Sequence, residues 1–271
     1  MTDTHPTATG TGTDPAVTNL FVCWDSLDGL FASLDGAEWD TPSLCPDWTV
    51  RQTLVHLASI EAMLAGKGAR SFGENLPFGE ALAAAEELET LDPPALLARW
   101  ADITAVRREE LAAMSAEDLA HPSVTPVGPA TYGRFMAVRV FDCWVHEQDV
   151  RVPLGRPGHE GGPAAEMAID EIAGSLGYIV GKKIGLGDGQ AITFELTGPV
   201  TRTMHVAVDG RAAVIDELDD PTVTLTADST TFALLACGRI DPQGPIDDGR
   251  ITWSGDTEIG DRAARSLRFT M

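Results

Sequence analysis

Apolar residues recur at three- and four-residue spacing through the first half of the chain, a pattern typical of amphipathic helices. It predicts long helices over about 15–35, 50–65, 93–114 and 134–152, with a shorter acidic helix at about 80–89. Pro42 and Pro46 keep the segment before the second helix non-helical, and Thr49 with Gln52 predicts a capping box at its start. Helices of roughly 20 residues joined by loops pack most economically as a four-helix bundle.

The pattern changes after about residue 158, where short β-rich runs appear at 191–197, 203–208, 222–226 and 251–253. Helices are predicted at about 163–180, from the cap Asp228 to Gly238, and at 256–267. Paired strands with helices beside them are typical of a small α+β domain. We therefore predict an α+β, multidomain chain with a disordered tail at 1–14, a four-helix bundle at 15–158 and an α+β domain at 159–271.

Composition narrows the possible partners. The 271 residues include 41 Asp and Glu against 19 Lys and Arg, a net charge of −22, and 44% are hydrophobic. This balance argues against nucleic acid and anionic membranes as partners, because both require clustered positive charge. No apolar run approaches the ~18 residues of a membrane span, and the first residues do not resemble a secretory signal. Four widely spaced cysteines without a CxxC motif favour free thiols and a cytoplasmic location.

Two histidines within predicted bundle helices offer metal chemistry. His56 shares a helical face with Ile60 and should point inward, while Asp142 and His146 lie four residues apart on one face of the fourth helix. If His56 faces that pair across the bundle, two imidazoles and one carboxylate can bind a divalent cation and leave positions open, as catalytic sites do. Neutral imidazoles with one carboxylate suit Zn, Fe, Ni and Co alike. The alternative is a core histidine satisfied by a single hydrogen bond.

Other polar residues accompany this set. We expect Asp149, on the same stripe, to support a ligand or to accept a hydrogen bond from Arg151 or Arg139 instead of binding the metal. Arg139 and Arg239 are candidate cations for binding a carboxylate substrate, with ordinary ion pairs as the alternative. Three of the four cysteines are interpreted as core residues: Cys45, Cys143 and Cys237.

Two segments of the bundle together resemble a known family. LCPDWTVRQTLVHLASIE at 44–61 and RVFDCWVHEQDVRVPLGRPG at 139–158 are similar to the mycothiol-dependent maleylpyruvate isomerase family, within the DinB-like superfamily of metal-binding four-helix bundles. LTADSTTFALLACGRIDP at 225–242 and GRITWSGD at 249–256 are similar to the sterol-carrier-like domain that follows the bundle in that family. The resemblance covers most of residues 15–271 and implies the same two-part architecture.

The resemblance also implies a site and an activity. The family's ligands are a histidine on the second helix and a carboxylate and histidine four apart on the fourth, which match His56, Asp142 and His146. The isomerase has Glu where this chain has Asp142, so isomerisation and thiol transfer both stay open. An arginine of the family's second domain reaches the cleft, which makes Arg239 the expected catalytic residue.

The implied reaction requires a divalent metal, mycothiol as cosubstrate and a small electrophilic substrate. The expected activity is isomerisation or S-transfer, in which a metal-activated thiol attacks an electrophilic carbon. The alternative function is a non-catalytic protein that binds an apolar ligand and carries a structural or vestigial metal site. The expected partners are therefore small molecules, with neither nucleic acid nor membrane involved.

Overall fold

A computed structural model describes residues 14–69 and 75–270 of the chain. Apart from Asp14, the tail predicted at 1–14 lies outside the described residues. The described part is an α+β structure in which a helical region precedes a sheet-containing region, as the sequence predicts. Among the described helices, none is both long and apolar enough to cross a membrane.

The helical region contains four long helices that match the predicted ones to within a few residues. Two of them begin at the side-chain caps Asp14 and Asp92, each followed by proline in the first turn. The second begins with the predicted capping box, in which Thr49 and Gln52 exchange hydrogen bonds. The helices are α1 (Pro15–Ala32), α2 (Val50–Leu64), α3 (Phe78–Leu88), α4 (Pro93–Ala112), α5 (Ala116–Leu119) and α6 (Tyr132–Arg151).

The segment before α6 is a short hairpin where the sequence predicts a loop. Strands β1 (Pro122–Thr125) and β2 (Gly128–Thr131) pair antiparallel, and the Thr125 hydroxyl donates to the Gly128 carbonyl oxygen at 2.7 Å. Prolines within and beside strands this short hide the hairpin from pattern analysis. The hairpin leads directly into α6, which is capped by the Thr131 side chain.

The sheet-containing region has five strands in the order β5-β4-β3-β6-β7, with β3 and β6 parallel and the other pairs antiparallel. Strands β3, β4, β6 and β7 match the predicted runs, while β5 was not predicted because none of its residues is fully buried. The strands are β3 (Ala191–Thr197), β4 (Arg202–Asp209), β5 (Arg211–Ile215), β6 (Val223–Asp228) and β7 (Ile251–Gly255).

Helices of the second region pack on the sheet and on the bundle. The helix predicted over 163–180 is interrupted near Gly174, and Gly177 lies so close to β5 that an added Cβ would approach the Ala212 carbonyl oxygen to 3.1 Å. α7 packs against α1, α6 and α9, so the two regions share buried surface. These helices are α7 (Pro163–Ala173), α8 (Leu176–Tyr178), a π-helical turn (Ile179–Ile184), α9 (Ser229–Ala236), α10 (Gln243–Asp247) and α11 (Thr257–Arg265).

Candidate metal centre

The three residues predicted to bind a metal converge between α2 and α6. His56 Nε2 lies 3.4 Å from Asp142 Oδ2, and His146 Nε2 lies 3.5 Å from Asp142 Oδ1. The two imidazole rings are 4.8 Å apart at their centroids. One donor atom from each residue lies within 4.8 Å of the other two. The arrangement therefore brings three potential ligand atoms around one point, with one carboxylate oxygen toward each imidazole.

The donor atoms fit a divalent cation better than they fit one another. His56 Nε2 is buried and neither accepts nor donates a hydrogen bond within the described part of the chain, although Asp142 Oδ2 lies 3.4 Å away. A buried polar atom without a partner is costly and uncommon in a folded protein. Two imidazoles and a carboxylate are ligands that Zn²⁺ accepts, and three protein ligands leave a coordination position for an exchangeable molecule.

Trp48 covers the two imidazoles from the loop before α2. Its ring centroid lies 5.0 Å from that of His56 and 5.6 Å from that of His146. The loop is fixed by a hydrogen bond from Ser43 N–H to the Trp48 carbonyl and by one from Leu44 N–H to the Asp149 carbonyl, at 2.8 and 2.9 Å. The indole thus shields one side of the site from water.

Asp149 orients His146 through Nδ1, the ring nitrogen that does not face Asp142. Asp149 Oδ2 lies 2.9 Å from His146 Nδ1, and the carboxylate also accepts from Arg239 Nε at 2.9 and 3.1 Å. A carboxylate on Nδ1 holds the proton there and directs the Nε2 lone pair toward Asp142. The expectation that Asp149 accepts from Arg151 or Arg139 is wrong, because Arg151 donates to Glu147 and Arg139 to Glu61.

Arg239 therefore reaches the site through Asp149. Its turn follows α9, where Gly238 has φ +67°, a conformation that glycine adopts readily. Burial alone would lower the pKa of Arg239, but the Asp149 carboxylate raises it above the usual value. The ion pair joins the sheet-containing region to α6 across 90 residues of sequence.

Arg139 lies under Asp142 and is only 3% exposed. Its guanidinium donates to Glu61 Oε1 at 2.9 Å and to Asp142. Burial would raise the pKa of Asp142, but Arg139 and then His56 more than offset it and hold that pKa well below its usual range. Asp142 is therefore a carboxylate at neutral pH. The substrate-binding role of Arg139 stays a prediction, and its contacts show a residue that positions Asp142.

Two parts of the site escaped sequence analysis. Glu61 is fully buried between Arg139 and Arg107, the latter at 3.1 Å. The sequence feature that could have identified Glu61 is a carboxylate at a position on the apolar face of α2. Cys45 is a correction: it lies half-buried with its Sγ near the polar atoms of His146 and Asp149, not in the core. The other predicted core cysteines, Cys143 and Cys237, are buried as expected.

Two cavities open beside the three converging residues, and His56 lines both. The first has a volume of about 330 Å³ and lies among α2, α6, the hairpin turn and the last described residues of the chain. The second, of about 280 Å³, lies between α2 and α3 and includes Trp48, Gln52 and Ser59. Each is close to the lower limit of cavities that bind small molecules.

Comparisons with known proteins agree with the architecture. The family model of the mycothiol maleylpyruvate isomerase N-terminal domain matches residues 20–151, and that of the corresponding C-terminal domain matches residues 166–262. A crystal structure of the mycothiol-dependent maleylpyruvate isomerase is similar at a TM-score of 0.58 and 17% identity. A histidine-to-alanine mutant of that enzyme is similar at a TM-score of 0.60 and 17% identity. Both matches cover 91% of this chain and 95% of the other chain.

Other comparisons add little. Sterol Carrier Protein 2 from Yarrowia lipolytica, in its apo form, matches 39% of this chain and 94% of its own at 14% identity, with a TM-score of 0.29, too low to support an inference. No curated protein sequence matches the chain. The two family models together span the helical and the sheet-containing regions in the expected order. The chain thus belongs to the mycothiol-dependent maleylpyruvate isomerase family.

Proposed function

We propose that this protein is a metal-dependent enzyme that uses the thiol mycothiol for isomerisation or S-transfer on a small electrophilic substrate. The observation that carries the proposal is the convergence of one donor atom each from His56, Asp142 and His146 within 4.8 Å, where His56 Nε2 is buried and makes no hydrogen bond to the described residues. Membership of the family supports mycothiol as the thiol. The domain boundary near residue 158 and the cytoplasmic location stay predictions.

His56, Asp142 and His146 would hold the cation, with Zn²⁺ as the first assignment. When bound, a divalent cation stabilises a thiolate and so lowers the pKa of a thiol from about 8.5. The protein's own residues keep the ligands ready. Asp149 retains the proton on His146 Nδ1, and Arg139 keeps Asp142 ionised.

Two substrates require two adjacent spaces, and the two cavities that share His56 meet this need. We assign the cavity lined by Gln52 and Ser59 to the polar thiol, because these side chains offer hydrogen bonds to a sugar-containing molecule. The cavity on the other side of His56 is assigned to the electrophile. Trp48 limits access of water to the imidazoles between them.

The test is the metal content of the purified protein together with thiol consumption. We expect about one divalent ion per chain and loss of the ion in His56→Ala with the circular-dichroism spectrum retained. His121→Ala, at a histidine outside this group, is the matched control and should keep the metal. If His56→Ala keeps its metal, or if metal-loaded protein neither binds mycothiol nor consumes it with any electrophile, the proposal is wrong.

A further inference from the structure

Phe269 contributes to the wall of the larger cavity beside the metal centre from outside the bundle. The same cavity is lined by His56 and Asp142, two of the residues that would hold the cation. Most of the other lining side chains are apolar and belong to α2, α6 and the turn of the hairpin. Phe269 comes instead from the segment after α11, and its ring centroid lies 6.3 Å from that of Phe141 on α6. The wall of this cavity thus combines side chains of both regions.

Hydrogen bonds hold the segment that carries Phe269 against the end of α9. The Phe269 N–H donates to the Ala236 carbonyl oxygen at 3.0 Å, and the Thr270 hydroxyl donates to the Cys237 carbonyl oxygen at 3.0 Å. The Arg239 guanidinium donates to the same Cys237 carbonyl oxygen at 3.1 Å. One turn of the sheet-containing region therefore fixes both the arginine that reaches the metal centre and the aromatic ring in the cavity wall.

Phe269 differs in its structural setting from the bundle residues of the same wall. It lies outside helices and strands and is half-buried, whereas Met63 of α2 and Phe135 of α6 are 2% and 1% exposed. Replacing a fully buried helical side chain disturbs a closely packed core. A side chain on an irregular segment that is held by its backbone can change with less effect on the fold, and binding residues are often found on such segments.

We propose that Phe269 is a specificity-determining residue that limits the size of the electrophile. This inference rests on the proposed thiol-using function and adds the residue that selects its second substrate. The cavity, at about 330 Å³, is close to the lower limit of sites for small molecules, so loss of a phenyl ring from its wall enlarges it considerably. The limit is steric and therefore applies equally to a carboxylate substrate attracted by a cation on His56 and Asp142.

The test uses two electrophiles that have the same reactive group and the same charge. β-Acetylacrylate and β-naphthoylacrylate each carry one carboxylate and one enone, and they differ in a methyl group against a naphthyl group. Attraction of the carboxylate by a bound cation is common to both, so it cancels in the ratio of their kcat/KM values. Mycothiol consumption by metal-loaded protein is measured with each, after the uncatalysed rate is subtracted.

Variants at Phe269 should shift this ratio toward the larger electrophile. Phe269→Ala should raise kcat/KM for β-naphthoylacrylate relative to β-acetylacrylate by about tenfold, mainly through a lower KM, because it removes a steric clash. Phe269→Leu retains part of the wall and should shift the ratio in the same direction by less. Phe21→Ala removes an equal ring from a half-buried position on α1 that lines neither cavity, and it should leave the ratio unchanged. Circular-dichroism spectra establish that each variant folds.

Saturated analogues of the two electrophiles give a readout without turnover. Levulinate and β-naphthoylpropionate lack the alkene and therefore cannot react with a thiol. In thermal-shift titrations of metal-loaded protein, β-naphthoylpropionate should raise the melting temperature of Phe269→Ala more than that of the wild type, because a ligand stabilises the form that binds it more tightly. The shift with levulinate should be similar in both proteins.

The outcomes separate this inference from the proposed function. An unchanged ratio in folded Phe269→Ala and Phe269→Leu, or an equal change in Phe21→Ala, would overturn the role of Phe269 and leave the thiol-using function standing. Equal binding of β-naphthoylpropionate to the wild type and to Phe269→Ala would also contradict the inference. Lack of mycothiol consumption with both electrophiles would instead contradict the proposed function, and the thermal-shift comparison would still decide whether Phe269 limits the cavity.

Discussion

Asp149 is the residue on which the orientation of the candidate metal centre depends. It is fully buried, lies 2.9 Å from His146 Nδ1 and is neutralised by Arg239. Removing its charge would free the imidazole to rotate and to lose the tautomer that directs Nε2 toward Asp142.

Asp149→Asn should therefore weaken metal binding by about 10- to 100-fold, because residues behind a ligand commonly have effects of this size. Competition for Zn²⁺ against a chromophoric chelator measures the change. Asp219→Asn, at an exposed aspartate, is the control and should bind as the wild type does. Unchanged affinity in Asp149→Asn would show that His146 is oriented by other contacts.

The four cysteines should differ in reactivity according to burial. Burial raises the pKa of Cys237 to about 12 and places those of Cys23 and Cys143 well above the usual value. Burial also raises the pKa of Cys45, but this thiol is only half-buried. A raised pKa means a smaller thiolate fraction at neutral pH, so alkylation of Cys45 should be slow and accelerate as the pH rises.

In native protein at about pH 8, iodoacetamide should modify Cys45 first and the other three cysteines only after unfolding. Peptide mass spectrometry gives the order directly. Early alkylation of Cys143 or Cys237 would mean that the buried core opens locally under native conditions.

Residues near one another in sequence were predictable, and residues joined only by the fold were not. Asp142 and His146 follow from helical spacing, because positions four apart share a face. The partnership of Asp149 with Arg239 spans 90 residues, so nothing in the spacing reveals it. Trp48 was likewise missed, since a tryptophan in a loop shows its role only once the loop is folded over the imidazoles.

At the scale of elements, α2 carries His56 and depends on a well-formed start. The Thr49 side chain accepts from Gln52 N–H, and the Gln52 side chain accepts from Thr49 N–H at 2.9 Å. Capping fixes the first turn of the helix that presents the imidazole seven residues later.

Thr49→Ala should lower the free energy of unfolding by about 1 kcal/mol, the usual contribution of such a cap. Thr49→Ser retains the hydroxyl and should stay close to the wild type. Urea denaturation monitored by tryptophan fluorescence provides the comparison. Equal loss in both variants would assign the effect to the methyl group instead of the cap.

A buried ionic network holds α2, α4 and α6 together. Glu61 accepts from Arg139 at 2.9 Å and from Arg107 at 3.1 Å, and both Glu61 and Arg107 are fully buried. Neutralising the central carboxylate leaves two buried arginines that Glu110 and Asp142 compensate only in part, which is more costly than the network is stabilising.

Glu61→Gln should therefore lower the free energy of unfolding by about 3–5 kcal/mol. Glu109→Gln, at an exposed glutamate of α4, is the control and should change it little. A loss below about 1 kcal/mol in Glu61→Gln would show that water or rearranged carboxylates compensate the arginines.

The elements themselves were largely predictable from periodicity and caps. The capping box of α2 and the prolines at the starts of α1 and α4 placed these helices to within a few residues, because those signals act locally. The hairpin before α6 and strand β5 were missed, since their pairing depends on partners that a local pattern does not contain. After the break near Gly174, Gly177 packs closely against β5, which is a property of the assembled sheet.

At the scale of the whole molecule, the candidate site belongs to both regions. The bundle provides the three converging residues, while the sheet-containing region provides Arg239 and the Phe269 wall of the apolar cavity. α7 packs on both α6 and α9 and so connects the two. Neither region alone would contain the complete arrangement.

The bridge from Arg239 to Asp149 has a consequence for how such chains can be recombined. A chimera that joins this bundle to the second region of a relative would have a buried negative charge at Asp149 unless the donor supplies a cation at the same place. With a donor that lacks this cation, Asp149 would have to be replaced as well. His146 would then lose the hydrogen bond that orients its imidazole. The two regions must therefore be exchanged together, so that the carboxylate of one and the cation of the other stay paired.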